Sequence, residues 1–508
     1  AMGMVVSVSV AGIVISGQPY TPITAMIPTL MAAYTTATLL HLYAAIQRAR
    51  IALLPRPQRI RRALSETFKP GLFNVLTTGA GLLSLMWVDI PPVQTFGLAG
   101  AIGTLMVFLV VFILVPPILL KWDVPRWPRR RSGLSLARHV AATFAVFSLR
   151  HARAVLVGTV LLVLATVPLI LQVKVESNLL AFFSPDHPIS RSTDRVEEKL
   201  SGVSTMEIVL TADARDGLKD PATLLQIQAL QAWLEAQPEI DRSFSLVEVI
   251  EEMNRAFSGE DLGDEALPAD RRLVEQLLLV YDGDDLYELV NREFQRGRIA
   301  LNLNVHGANE ISRVIQRIEA RLDAQPIKGV STEMSGFGRL FSDQEDAIVE
   351  GQVRSFSAAF IQILLLLILM FRSVRGGLIC LVPNLAPLFF IFVVMGATGI
   401  PLDVATVLIA GVILGITVDD TIHLYHGYLH RIRKGVSPVF AIIRSVEASG
   451  RAVVAISMIL IAQFSLLAFS DFRPTAHFGM LCAVGLLAGQ VFELLLMPAL
   501  LGLRHRTR

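Results

Sequence analysis

A polytopic α-helical membrane protein carrying an α/β domain is the fold class this sequence predicts, on three observations. Of its 508 residues 53% are hydrophobic and 17% charged, with a mean hydropathy of +0.57. The apolar residues are gathered into blocks of about twenty, the length that crosses a bilayer, rather than spread at amphipathic spacing. One long stretch, about 173–352, is instead polar, rich in Asp and Glu, and free of any spanning block.

In chain order the apolar blocks predict spans near 3–16, 22–46, 71–88, 95–120, 152–171, 353–371, 376–398, 403–428, 451–469 and 475–501. Arg48, Arg50, Arg56, Arg59, Arg61, Arg62 and Lys69 fill one loop, and Lys121, Arg126, Arg129, Arg130, Arg131 and Arg138 fill another. Basic loops beside spans stay in the cytoplasm, which puts 173–352 outside and returns Arg372, Arg431, Arg433, Lys434 and Arg504 to the inner side. The stretch 53–63, with Pro55 and Pro57, reads as an interrupted interfacial helix on anionic lipid. Without interleaved aromatics these basic runs do not read as a nucleic-acid surface. Cys380 and Cys482 both fall inside apolar spans and read as packing residues, with no disulfide framework available.

Within the polar stretch, strands are expected at 205–211, 240–246, 299–305 and 330–335, and helices at 221–236 and 309–324, with three further helices between Val247 and Gln295. Setting those three aside, the order is βαββαβ, the ferredoxin-like pattern.

The chain also repeats itself. Gly17-Gln-Pro19 matches Gly399-Ile-Pro401, His41-Leu-Tyr43 matches His423-Leu-Tyr425, Phe96-Gly97 matches Phe478-Gly479, and Pro116 matches Pro498, every pair 382 apart (399 − 17, 423 − 41, 478 − 96, 498 − 116). Spans 3–120 thus read as a copy of 378–501 in the same orientation, related by an axis along the membrane normal. With two equal halves, about two hundred residues are expected upstream of a chain that opens directly in an apolar segment.

The residues hardest to explain as packing are Asp419 and Asp420, side by side in an otherwise apolar span. A carboxylate at membrane depth costs about 3 kcal/mol unless it faces a polar seam or takes a proton, so such residues mark ion pathways. Asp419, His423 and His426 fall on one helical stripe, and Asp420 lies near Thr417 and Thr421. Neighbouring carboxylates titrate as a coupled unit. Glu493, opposite apolar Val111 in the repeat (493 − 382), is a further intramembrane acid. The first repeat has Ala37 and Thr38 where the second has the two aspartates, so Thr35, Thr36, Thr38 and His41 are its only candidate partners and the relay is one-sided. His41 and His423 read equally as packing histidines, and an aspartate pair snorkelling at a helix end is the bland alternative for Asp419 and Asp420. Gly411 and Gly415 form a Gly-x-x-x-Gly pair that points to close helix packing.

The repeat, the large domain after the first span of a half, and Gly415-Ile-Thr-Val-Asp-Asp-Thr-Ile-His423 in the fourth span of that half resemble the resistance-nodulation-division superfamily, in its hydrophobe exporter branch of MMPL-type and Patched-like proteins. Ser177-Asn-Leu-Leu-Ala-Phe-Phe-Ser-Pro-Asp186 is similar to the entry into that family's porter domain. The resemblance implies residues 1–120 as spans 3–6 of a twelve-span plan, 121–151 as a cytoplasmic basic linker, 152–171 as span 7, 172–352 as a periplasmic porter domain, 353–501 as spans 8–12 and 502–508 as a cytoplasmic tail. It implies a proton-driven exporter of lipid-like substrates in a bacterial inner membrane, powered by the proton motive force with no cofactor or metal. Its partners would be membrane lipids and a hydrophobic substrate, with a homo-oligomer or periplasmic partner left open. No Walker, zinc or Ser/His/Asp arrangement marks an enzyme. The rival readings are a lipid-sensing scaffold of the same fold and a protein-translocation accessory.

Overall fold

The computed structural model describes all residues except 123–132, 179, 259–266, 282 and 507–508. Arg126, Arg129, Arg130 and Arg131 of the second basic loop lie outside the described residues. The chain divides into a helical unit, Ala1–Val175 with Ala347–Arg508, and an α/β unit, Glu176–Asp346.

The helical unit opens with α1 (Met2–Ile15), α2 (Ile27–Ile51), α3 (Arg56–Leu83), α4 (Pro91–Leu109), α5 (Val115–Trp122), α6 (Gly133–Arg150) and α7 (Ala152–Ile170). The interruption expected at the prolines of 53–63 falls at Pro55 alone: residues 52–55 lie outside both helices, and α3 runs from Arg56 with Pro57 in its first turn, where a missing N–H costs nothing. The stretch expected to be a linker contains α6, which buries Ala141, Ala145 and Leu149 along one stripe. Spacing of four residues puts these on one face, and Ser148 fixes it by donating to the Leu495 carbonyl at 2.5 Å.

The α/β unit holds α8 (Pro188–Lys199), β1 (Ser204–Ala212), α9 (Pro221–Glu235), β2 (Ile240–Phe244), α10 (Leu246–Ser258), α11 (Arg271–Val280), α12 (Leu286–Leu289), β3 (Arg296–Leu303), α13 (Ala308–Ala324) and β4 (Val330–Ser335). Its strands form one sheet in the order β2-β3-β1-β4, every neighbour antiparallel. β1 and β3 alternate buried and half-exposed side chains, so Met206, Ile208, Leu210, Ile299, Leu301 and Leu303 meet Leu224, Ile227, Ile311, Ile315 and Ile318 in one core.

A capping box starts α10: Val247 N–H donates to Ser245 Oγ at 3.0 Å, and Ser245 N–H donates to Glu248 Oε2 at 2.7 Å. Ser245→Ala costs about 1 kcal/mol, read as faster hydrogen exchange in α10. Burial outweighs these bonds and lifts the Glu248 carboxyl above the ordinary carboxylate value. A raised acid means that the folded unit holds the proton more tightly than the unfolded chain. Stability is therefore complete below the ordinary value and falls as pH rises through the range just above it. Glu248→Gln flattens that slope, measured as exchange protection of α10 corrected for intrinsic rates; an unchanged slope assigns the pH dependence to other groups.

The chain closes with α14 (Phe337–Phe371), α15 (Val374–Thr398), α16 (Val407–Arg433), α17 (Pro438–Leu467, bent by 44° after Ala448) and α18 (Arg473–Arg506). Among the described residues seven helices are long and apolar enough to cross a membrane, eight counting bent α17, against the ten expected. The 14 residues of α1 span only about 21 Å at 1.5 Å each, short of a hydrocarbon core of about 30 Å. The block at 71–88 leaves the α-helix at Leu83 for a 3₁₀ turn, Ser84–Trp87.

Helix α16 is buried from Val407 through Asp419. A helix apolar on every side is stable only when surrounded, here by α3, α15, α17 and α18. Against α3 the approach is backbone to backbone: a Cβ on Gly411 would stand 2.6 Å from the Gly81 carbonyl oxygen, and one on Gly415 3.1 Å from Thr78 Cα. Cys380 and Cys482 are buried free thiols. Offsets of 382 recur in the helix starts, Arg56 with Pro438 and Pro91 with Arg473 (438 − 56, 473 − 91). Gly17 and Gly399 both take left-handed φ values, +71° and +73°, just past α1 and α15.

Candidate functional site

The burial of α16 carries its aspartates to the centre of the helical unit, where α2 faces them. His41 Nε2 of α2 lies 3.4 Å from Asp419 Oδ2 and 3.9 Å from Asp420 Oδ1. One turn along α16, His423 Nε2 lies 3.5 Å from Asp419 Oδ1. The two imidazoles stack at 4.1 Å with 8° between their planes. Asp419 thus turns one carboxylate oxygen to each imidazole of the stacked pair, at ion-pair range but longer than a tight hydrogen bond. Ligand atoms of His41, Asp419 and His423 lie within 4.8 Å of one another, and two imidazoles with a carboxylate are a ligand set that a transition-metal ion accepts.

The remaining candidate residues separate by what they touch. Glu493 of α18 is buried with its carboxyl at the Thr421 hydroxyl, which also accepts from Asn384 Nδ2 of α15 at 3.0 Å. Ser457 of α17 donates to Asp420 Oδ2 at 3.4 Å. Thr417 donates to the Ile413 carbonyl at 2.9 Å. Thr35, Thr36 and Thr38 likewise donate one turn back, to the carbonyls of Met31, Ala32 and Tyr34 at 2.7, 2.8 and 2.9 Å. Their protons are held by their own helix, and of the first-repeat candidates it is His41 that meets the acids. No recorded bond joins His426 to either aspartate among the described residues.

A cavity of about 20 Å³ opens beside the pair, lined by Tyr34, Thr417, Asp419, Asp420, Ser457 and Gln490 among others. That volume admits one water. Of the residues lining it, Asp419 Oδ1 and both amide atoms of Gln490 are buried without a hydrogen-bond partner, which is the polar surplus a water would satisfy. The Tyr34 hydroxyl bonds Thr78, whose own hydroxyl donates to the Gly415 carbonyl at 2.9 Å, tying α2, α3 and α16 together. Sequence reasoning misses Tyr34, Thr78, Asn384, Ser457 and Gln490. Asn384 and Gln490 carry a signal, as amides inside apolar spans; Ser457, Thr78 and Tyr34 carry none.

Residues 181–507, more than half of the chain, match the MMPL family. The chain belongs to the MMPL family. It is a multi-pass membrane protein of resistance-nodulation-division type. A protein of Methanocaldococcus jannaschii described as a membrane protein is 26% identical over 329 residues, which cover 63% of this chain and 82% of that one. The cryo-EM structure of the hedgehog release protein Disp from the water bear Hypsibius dujardini aligns with a TM-score of 0.63 at 14% identity, over 95% of this MMPL chain and 64% of that chain. At such identity the likeness is one of fold, and this chain spans less than two thirds of that structure's length.

Proposed function

We propose that this chain belongs to a proton-driven exporter of hydrophobic or amphiphilic, lipid-like substrates, with Asp419 as the proton carrier, His41 and His423 as its partners, and Asp420 and Glu493 as coupled acids. The observation that carries the reading is Asp419 facing a stacked pair of imidazoles beside a water-sized cavity, buried among the helices. In so dry a site a proton gained or lost leaves a net charge whose cost depends on where the helices stand, which is the coupling a transporter needs. The first repeat lacks an acid, but His41 lets it contribute an imidazole, so a relay with carboxylates on one side only is still two-sided in its proton-binding groups.

The reading of two transmembrane repeats is supported by mates in the 382-residue register that touch: His41 with His423, and Phe96 with Phe478 edge to face at 6.5 Å. Residues beside a two-fold axis contact their own counterparts, so an axis between these pairs accounts for both. We read the α/β unit as a ferredoxin-like porter domain, on the strand order β2-β3-β1-β4 with helices after β1 and β3. The basic loops support placing it on the periplasmic side of a bacterial inner membrane.

Moving one charge through 100 mV yields about 2.3 kcal/mol, and half a pH unit adds roughly 0.7 kcal/mol. Together they support a substrate gradient of about two decades per proton, since each 1.4 kcal/mol is tenfold. The test is loss of a fluorescent lipid analogue from proteoliposomes under an imposed pH gradient. Export that stops when a protonophore collapses the gradient is expected. A well-folded protein that moves nothing favours the lipid-sensing scaffold instead.

A further inference from the structure

The α/β unit carries a second polar cluster that proton coupling leaves unused. His306, shortly after β3, places Nδ1 2.7 Å from the Ser204 hydroxyl at the start of β1. Its Nε2 lies 3.0 Å and 3.1 Å from the two carboxylate oxygens of Glu197 on α8. A carboxylate only accepts, so Nε2 carries the hydrogen; in the Nε2–H tautomer the ring accepts at Nδ1, and the Ser204 O–H donates to it. The Ser204 oxygen keeps its acceptor capacity, and no other partner is recorded for it among the described residues.

Beside this cluster lies a half-enclosed cavity of about 140 Å³, lined by Ser204, His306, Leu180, Ile311, Phe337 and Phe341 among others. Ile311 and Phe341 are buried and Phe337 is half exposed, so one polar end faces an apolar wall with an open side. A cavity of about 150 Å³ holds one benzene, which sets the capacity here near six carbons. We propose that this cavity binds an uncharged, hydroxyl-bearing amphiphile of the fatty-alcohol kind, its hydroxyl donating to Ser204 Oγ and its first carbons lying against Ile311, Phe337 and Phe341. The rest of the chain leaves by the open side. An acid is selected against, because the Ser204 proton is already committed and the Glu197 charge stands behind the ring. The site gives the exporter reading a substrate class and rests on that reading for its role in transport, but binding itself needs no gradient.

The experiment uses the full chain in detergent and a long-chain fatty alcohol with a photoreactive diazirine beside the hydroxyl, compared with its methyl ether and the matching fatty acid. Cross-links from the alcohol are expected at Leu180, Ile311, Phe337 or Phe341, with both analogues labelling about fivefold less for want of one hydrogen bond. Ser204→Val, whose methyl groups cover Nδ1 without offering an acceptor, brings the alcohol down to the ether's level. Thr205→Trp, at an exposed position lining the cavity, blocks labelling without touching the core. Equal labelling by all three probes, labelling indifferent to Ser204→Val, or cross-links mapped elsewhere overturns the proposal. Asp419→Asn is expected to label like wild type. Labelling as expected without gradient-driven export sinks the coupling reading alone, whereas intact export without labelling sinks the cavity alone.

Discussion

Asp419→Asn reduces gradient-driven export to the level of empty vesicles while the protein still folds and stays monodisperse. The carboxylate stands 3.4 Å from His41 and 3.5 Å from His423, and asparagine fills the same space without being able to take or release a proton. Folding survives because the substitution removes a buried charge together with the desolvation that charge incurs, while neutral imidazoles accept or donate to the amide equally well. Asp420→Asn has a smaller effect, since Asp420 stands farther from His41, at 3.9 Å, and its other contact is the Ser457 hydroxyl rather than a second imidazole. His41→Phe keeps a ring stacked on His423 and removes the other repeat's proton-binding group, so transport falls while assembly holds. Proteoliposome efflux under an imposed pH gradient measures all three. Wild-type, gradient-dependent export by Asp419→Asn moves the proton site elsewhere, with Glu493 the next acid to replace.

Much of this site is legible in the sequence because its decisive residues break a strong rule. Two aspartates and a glutamate inside apolar spans cannot be assigned to lipid contact, so Asp419, Asp420 and Glu493 stand out from the residue order alone. Which polar neighbours reach them is set by helix rotation and tertiary approach, which residue spacing within one helix does not carry. Threonines show the limit well: at Thr35, Thr36 and Thr38 the sequence offers three hydroxyls near the right height, but each satisfies itself on its own backbone. Ser457 looks no different in sequence and bonds Asp420. In the α/β unit all four strands are legible, most plainly at 299–305 where apolar and polar residues alternate, whereas α6 is hidden because Arg-rich flanks mask the alanine stripe at Ala141 and Ala145.

Gly411→Val separates α16 from α3 and costs about 3 kcal/mol or more of stability, the upper range for overfilling a packed contact. The sign opposes helix propensity, which by itself disfavours glycine by about 1 kcal/mol against alanine. Propensity loses because the new Cβ meets the Gly81 carbonyl oxygen at 2.6 Å, and that atom is backbone on a helix whose own glycine would meet the Gly411 carbonyl at 2.7 Å. Neither helix has a flexible side chain to give, so the axes must part. Parting them also pulls Thr78 from the Gly415 carbonyl it holds at 2.9 Å, and with Thr78 goes the Tyr34 bond beside Asp419. Even Gly411→Ala is therefore expected to destabilise. The control is Gly158→Val in α7, where an added Cβ meets nothing within 4 Å and little change is expected. Thermal retention of the monodisperse peak in detergent compares them. If Gly411→Val melts with Gly158→Val and wild type, the close crossing of α3 and α16 is absent in solution, and the placement of Asp419 against His41 loses its scaffold.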